Sequence, residues 1–339
     1  MTGPFATTLF RIAFLAAGAY NLAFGLWAGF FPLQFFELFA IEPPRYPEIW
    51  ACLGMVVGVY GLLYWHVAWK PETGGPIIAI GLLGKVLGPI GMAFSIQESW
   101  PLRLALLNLY NDAIWWLPFT LFLLRGTKTA SLVERLAPWI CVLLHIAAIP
   151  ALALWIAPGA ATQPEAELRA EYVLAQPWSW SFGWVVWMLS AGSLIGFYAW
   201  WGSRLSERRW AIAAVLVAFC GMVCDLSGES LLVFVLHDHA SAVAEGERGE
   251  FLRIERTATL LTAGAANGLY TLGGLLLTLS TPGLPAWIRV SMYATWLAGA
   301  AMSVAGLLDF VPGLVISTAF LFPLFLVWIT WLALRWRPS

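Results

Sequence analysis

Charge is what this sequence has least of. Charged residues make up 11% of its 339, against about 25% in soluble domains, so most of the chain cannot present a water-facing globular surface. A net charge of −1 offers no basic face for nucleic acid. Cysteine is scarce too. Cys52, Cys141, Cys220 and Cys224 all fall inside apolar segments, which argues against a secreted disulfide framework, and Cys220 and Cys224, one turn apart on one helix face, read as small buried hydrophobes. Phosphate-loop, dinucleotide-binding, zinc-protease and serine-hydrolase signatures are missing. No soluble stretch of domain size is present, so any chemistry belongs inside a helical bundle or at its rims.

Apolar residues are abundant, at 60%, and there are 21 tryptophans, which suit interfacial belts and bundle packing. Ten segments are long enough to cross a bilayer as helices: 11–31, 48–69, 76–96, 101–125, 135–156, 178–201, 209–236, 252–279, 285–308 and 312–334. Their runs are continuous, without the two-residue alternation of a membrane barrel. The first run exceeds the roughly 7–15 apolar residues of a signal peptide and is expected to be retained as a helix. The expected fold is therefore all-α: a polytopic integral membrane bundle of about ten transmembrane helices.

The loops orient it. Arg11, Lys70, Arg125, Lys128, Arg204 and Arg335 fall on one side, and Glu37, Glu48, Glu165, Glu171 and Glu245 on the other, with Arg45, Arg103 and Arg169 as exceptions. The positive-inside rule places both termini in the cytoplasm, as an even number of spans requires. The phenylalanines of loop 32–47 predict a short helix lying in the outer interface. A division near residues 126–131 separates a four-helix bundle, 1–130, from a six-helix bundle, 131–339. The pattern L-x-A-G-A-x-N occurs twice, ending at Asn21 and at Asn267, on helices of opposite direction as in inverted transporter repeats.

Two polar levels interrupt the apolar segments. Lys85 and Asp112 sit in the middle of adjacent spans, each about 13 Å deep at 1.5 Å per residue. A charge at that depth costs at least ~2.5–3.5 kcal/mol, so each is the other's expected partner. Asn21, Asn108 and Asn111 share the level. Pro89 displaces the carbonyl four residues earlier, that of Lys85, and leaves a backbone acceptor there. Gly54, Gly58 and Gly61, and Gly81, Gly84, Gly88 and Gly91, line helix faces that allow close packing. The pair reads either as a structural lock or as a proton- or substrate-binding site. The second level lies in the seventh span, where Asp225 and Glu229 are one turn apart. An ion-pair network with Arg253, Glu255 and Arg256 at the outer rim of the eighth is expected, with His237 and His239 just above. The histidines are ligand types, but adjacent H-x-H rings diverge on a helix, and no metal or other cofactor is assigned.

The runs IWACLGMVVGVYGLLYW (49–65), GLLGKVLGPIG (81–91) and NDAIWWLPF (111–119) resemble a group of uncharacterised bacterial four-helix membrane proteins, DoxX-like in plan. The resemblance spans residues 8–125 and includes Lys85, Pro89 and Asp112. It implies an architecture and no activity; residues 131–339 carry no such resemblance.

Three functions stay open from sequence. The first is a small-molecule or proton-coupled transporter of the bacterial inner membrane. The second is a scaffold or accessory subunit of a larger membrane complex. The third is a membrane enzyme acting on a lipid or quinone at the outer leaflet. The expected partners are membrane lipids, with a homo-oligomer or larger membrane complex, and no nucleic acid.

Overall fold

The computed structural model describes residues 3–98 and 100–335. The first two and last four residues, and with them the two termini expected to be cytoplasmic, lie outside the described residues. Every regular element among the described residues is helical. Nine of these helices are long and apolar enough to cross a membrane, which suggests a multi-pass integral membrane protein. By contact the chain divides into two compact units, Met1–Leu132 and Val133–Ser339.

The first unit contains α1 (Pro4–Phe30), α2 (Gln34–Leu38), α3 (Pro47–Trp69) and α4 (Gly75–Glu98), then a broken helical run. That run comprises α5 (Ala105–Asn108), a π-helical segment (Leu109–Ala113) and α6 (Ile114–Leu124). It is the one expected span absent from the nine, because Asn108, Asn111 and Asp112 dilute its apolar character. Glycines let α1 and α3 approach closely. A Cβ at Gly25 would lie 2.6 Å from the Cα of Gly58, and one at Gly61 2.6 Å from the carbonyl of Gly18. The α3 glycine face is thus consumed by packing. Phe14, Phe119 and Phe122 form an edge-to-face cluster between α1 and α6, with centroids 4.7 and 5.5 Å apart.

The short helix foreseen in loop 32–47 is α2, but two of its phenylalanines point inward. Phe35 and Phe36 are buried with Leu104, and Trp50 packs against them. Leu33 and Leu38 remain exposed on the other side of the loop.

The second unit contains α7 (Lys128–Ala151, of which the part from Val133 belongs here), α8 (Ala166–Ala175), α9 (Pro177–Gly202) and α10 (Arg208–Phe234). It continues through α11 (Leu236–Ala244), α12 (Gly249–Thr259), α13 (Asn267–Leu279), α14 (Ala286–Leu307) and α15 (Val311–Arg335). π-Helical segments extend α7 over Leu152–Ile156 and join α12 to α13 over Leu260–Ala266. Large indoles fill the interior; three of them donate their N–H to a threonine hydroxyl, and Trp180 donates to the carbonyl of Leu232 at 2.9 Å. Trp201 donates to Thr281 at 2.9 Å, Trp296 to Thr278 at 2.9 Å and Trp328 to Thr295 at 3.0 Å. In each of these three a threonine satisfies a group that lipid cannot. Cys141 is buried, whereas Cys220, expected to be buried, and Cys52 are exposed on the helix perimeter. A thiol is apolar enough for that surface.

Candidate functional site

Each unit holds one polar site, and wide helical turns help build both. A π-turn inserts a residue, so its carbonyls miss their usual amide partners and need others. In the first unit Lys85 Nζ donates to the carbonyl of Asn111, and Trp115 Nε1 to that of Tyr110 at 2.9 Å. In the second, Asn267 Nδ2 donates to Thr262 at 3.1 Å and the Tyr172 hydroxyl to Trp155 at 3.0 Å. The three π-segments supply Asn111, Asp112, Leu152, Ile156, Thr262 and Ala263 to cavity walls.

In the first unit, Asn21, Lys85 and Asp112 are 3%, 5% and 3% exposed. With Asn111, Tyr60 and Tyr64 they line a cavity of about 350 Å³. Among the described residues no direct ion pair joins the Lys85 and Asp112 side chains. Lys85 reaches the main chain of Asn111, and Asn111 Nδ2 donates to Asp112 Oδ1 at 3.2 Å. The ammonium also lies 5.9 Å from the ring centre of Trp115. The acceptor that Pro89 frees is used: Trp116 Nε1 donates to the Lys85 carbonyl at 3.0 Å. Asn21 Nδ2 donates to Val57 O at 3.2 Å, while Asn21 Oδ1 and Asn111 Oδ1 are buried and find no partner among the described residues. Asn108 does not line this cavity; the intervening π-turn shifts the register, so residues four apart no longer stack. Tyr60 and Tyr64 were missed from sequence, although their spacing of one turn on α3 places them on one face.

In the second unit the structure separates residues that the sequence grouped. Asp225 and Glu229 are 9% and 1% exposed and line a cavity of about 270 Å³. Neither meets an arginine. Tyr270 donates to Asp225 Oδ2 at 3.1 Å, and Tyr198 supports Tyr270 by donating to its carbonyl at 3.0 Å. Both carboxylate oxygens of Glu229 are buried and accept no hydrogen bond among the described residues. Gly228 lets α10 approach the α12–α13 junction here: a Cβ on it would lie 2.9 Å from the carbonyl of Ala258. The cavity wall mixes aromatic and aliphatic surface with uncharged hydroxyls, with His145, Trp184, Trp187, Tyr198, Trp296 and Thr262 on it. His145 Nδ1 lies 2.8 Å from the carbonyl of Cys141. Asn267, the end of the second L-x-A-G-A-x-N, also lines this cavity, as Asn21 lines the other.

The expected rim partners are engaged elsewhere. Glu255 forms a two-pronged pair with Arg169 of α8, at 2.8 and 2.7 Å, and Arg169 also donates to the carbonyls of Gln163 and Pro164. Arg253 pairs with Glu250 at 2.6 Å on an exposed face. Arg256 donates to the carbonyls of Gly306 and Leu307, at 2.6 and 2.7 Å, and closes the C-terminal end of α14. His237 and His239 lie half-buried on α11 and do not line the cavity. Glu229 and the two histidines therefore do not line this cavity together. Among the described residues no group of three His, Cys, Asp or Glu is placed to hold a metal ion.

No protein-family model, curated protein or solved structure matches the chain.

Proposed function

We propose that the chain is a proton-coupled small-molecule transporter of the bacterial inner membrane, with both termini cytoplasmic and Glu229 as its principal working group. The observation that carries this reading is Glu229 itself, a carboxyl group inside a cavity with neither oxygen bonded. An ionised carboxylate left that way in an apolar interior is strongly unfavourable. It is neutralised by a proton or by a positively charged guest, and exchange between the two is the elementary step of coupled transport. Ionisable groups of membrane interiors mark such pathways. The other titratable groups on this cavity are Asp225, His145, Tyr198 and Tyr270. Asp225 already has a donor in Tyr270, which leaves Glu229 the freer of the two carboxyls.

The Lys85–Asn111–Asp112 cluster is read as a second polar site of the same protein, on a unit of DoxX-like four-helix plan. Its polar groups are bonded to one another more fully than Glu229 is.

The test is reconstitution in vesicles carrying an internal pH dye and an imposed pH gradient. Addition of a quaternary ammonium ion such as tetramethylammonium, which carries no proton across the bilayer itself, should dissipate the gradient with the native protein and not with Glu229→Gln. Equal rates from Glu229→Gln and native vesicles would remove Glu229 from the mechanism. Labelling of single cysteines placed at Ser241 and Thr127 tests the orientation, with external reagent reaching the first and not the second.

A further inference from the structure

The cavity around Glu229 has a chemistry specific enough to name its guest. Resting on the transport reading above, we infer that it takes a monovalent organic cation with a compact aromatic body, of the benzylic amine or benzylic ammonium kind. Two carboxyl groups one helical turn apart on α10 face it, and no lysine or arginine lines it. Asp225 has one donor, from Tyr270, and Glu229 has none. The site therefore has an excess of negative capacity, and a positive group is what completes it. An anion would meet two acidic groups and no fixed cation.

The walls decide what surrounds that charge. Trp184, Trp187, Tyr198 and Trp296 present aromatic surface to the cavity. Aromatic faces attract ammonium groups, most strongly where water is excluded, and indole is the strongest of them. Such walls favour a weakly hydrated organic cation over a small inorganic one, which would have to exchange its water shell for rings. The absence of a third acidic or imidazole ligand placed with the pair, among the described residues, also disfavours a divalent metal. Size sets the last limit. A space of about 270 Å³ lies just below the usual range of small-molecule sites and suits a compact guest.

The experiment uses full-length protein in lipid nanodiscs and benzyltrimethylammonium as probe, followed by tryptophan fluorescence and by calorimetry. Benzyl alcohol and phenylacetate serve as neutral and anionic counterparts. The cation should bind saturably, with one site per chain, and the other two should not compete with it. Glu229→Gln should weaken binding tenfold or more. Glu229→Asp, which keeps the charge, should retain binding within a few-fold and controls for folding. Trp187→Leu should weaken binding without abolishing it. Equal affinity for the cation and benzyl alcohol, or binding unchanged in Glu229→Gln, would overturn the assignment. The two proposals fail separately. Glu229-dependent proton flux without cation binding removes the guest and keeps the transporter. Glu229-dependent cation binding without flux removes the transporter and keeps the guest.

Discussion

Lys85 delivers its ammonium to the main-chain carbonyl of Asn111, a group exposed by the wide turn that also carries Asp112. The lysine thus holds the π-segment open as well as answering the neighbouring carboxylate. Lys85→Met removes both functions at once. It should destabilise the protein by roughly 3–5 kcal/mol, the usual cost of stranding one member of a buried charged group. Lys85→Met with Asp112→Leu should recover only part of this, because the Asn111 carbonyl still lacks its donor. Thermal melts in detergent measure the difference; full recovery in the double variant would mean that charge balance alone matters.

Two glycines on α4 provide a sharper packing test. A methyl at Gly88 would lie 2.9 Å from Asp112 Oδ2, whereas one at Gly84 meets nothing within 4 Å. Gly88→Ala should cost about 1–3 kcal/mol through overpacking. Gly84→Ala should be neutral or stabilising by up to about 1 kcal/mol through helix propensity. Similar melting temperatures for the two variants would contradict the placement of Asp112 against α4.

Arg169 clamps α8 to α12 through Glu255 with little exposure of either side chain, 7% and 12%. Arg169→Ala should cost about 3–5 kcal/mol. Arg169→Lys should rescue little, since an ammonium cannot reproduce the two-pronged contact. Proteolysis of loop 157–176 in Arg169→Ala, read against the native protein, reports whether α8 has come loose.

Much of the architecture was legible in the sequence, because apolar length alone identifies membrane helices. Nine of the ten expected segments appear as long apolar helices among the described residues. The tenth, 101–125, shows why the method thins out: the polar residues that make it interesting also lower its hydropathy. The buried positions of Asn21, Lys85, Asp112, Asp225 and Glu229 also followed from their place within apolar runs. Their partners did not. Arg169 lies on α8, far from Glu255 in sequence, and five of the contacts described above use carbonyls freed by π-turns or by Pro89. Nothing in residue type announces a π-turn, and a one-residue shift in register decides that Asn111 faces the cavity and Asn108 does not. The arginines of the eighth segment were assigned to Asp225 and Glu229 from helix order alone. Depth along the helix, set by where α12 starts, sends them to Glu250, Asp309 and the end of α14 instead.

The central claim is that Glu229 exchanges a proton for a cationic guest. The most direct measurement is proton release from the purified protein in weakly buffered detergent when benzyltrimethylammonium is added, read with a soluble pH dye and set against the amount of cation bound. This probe carries a permanent charge and no proton of its own, so any proton must come from the protein. The account predicts release of up to one proton per bound cation, at a pH where the empty site holds its proton, and none from Glu229→Gln. Binding without release across the whole pH range, or equal release from Glu229→Gln, would contradict it.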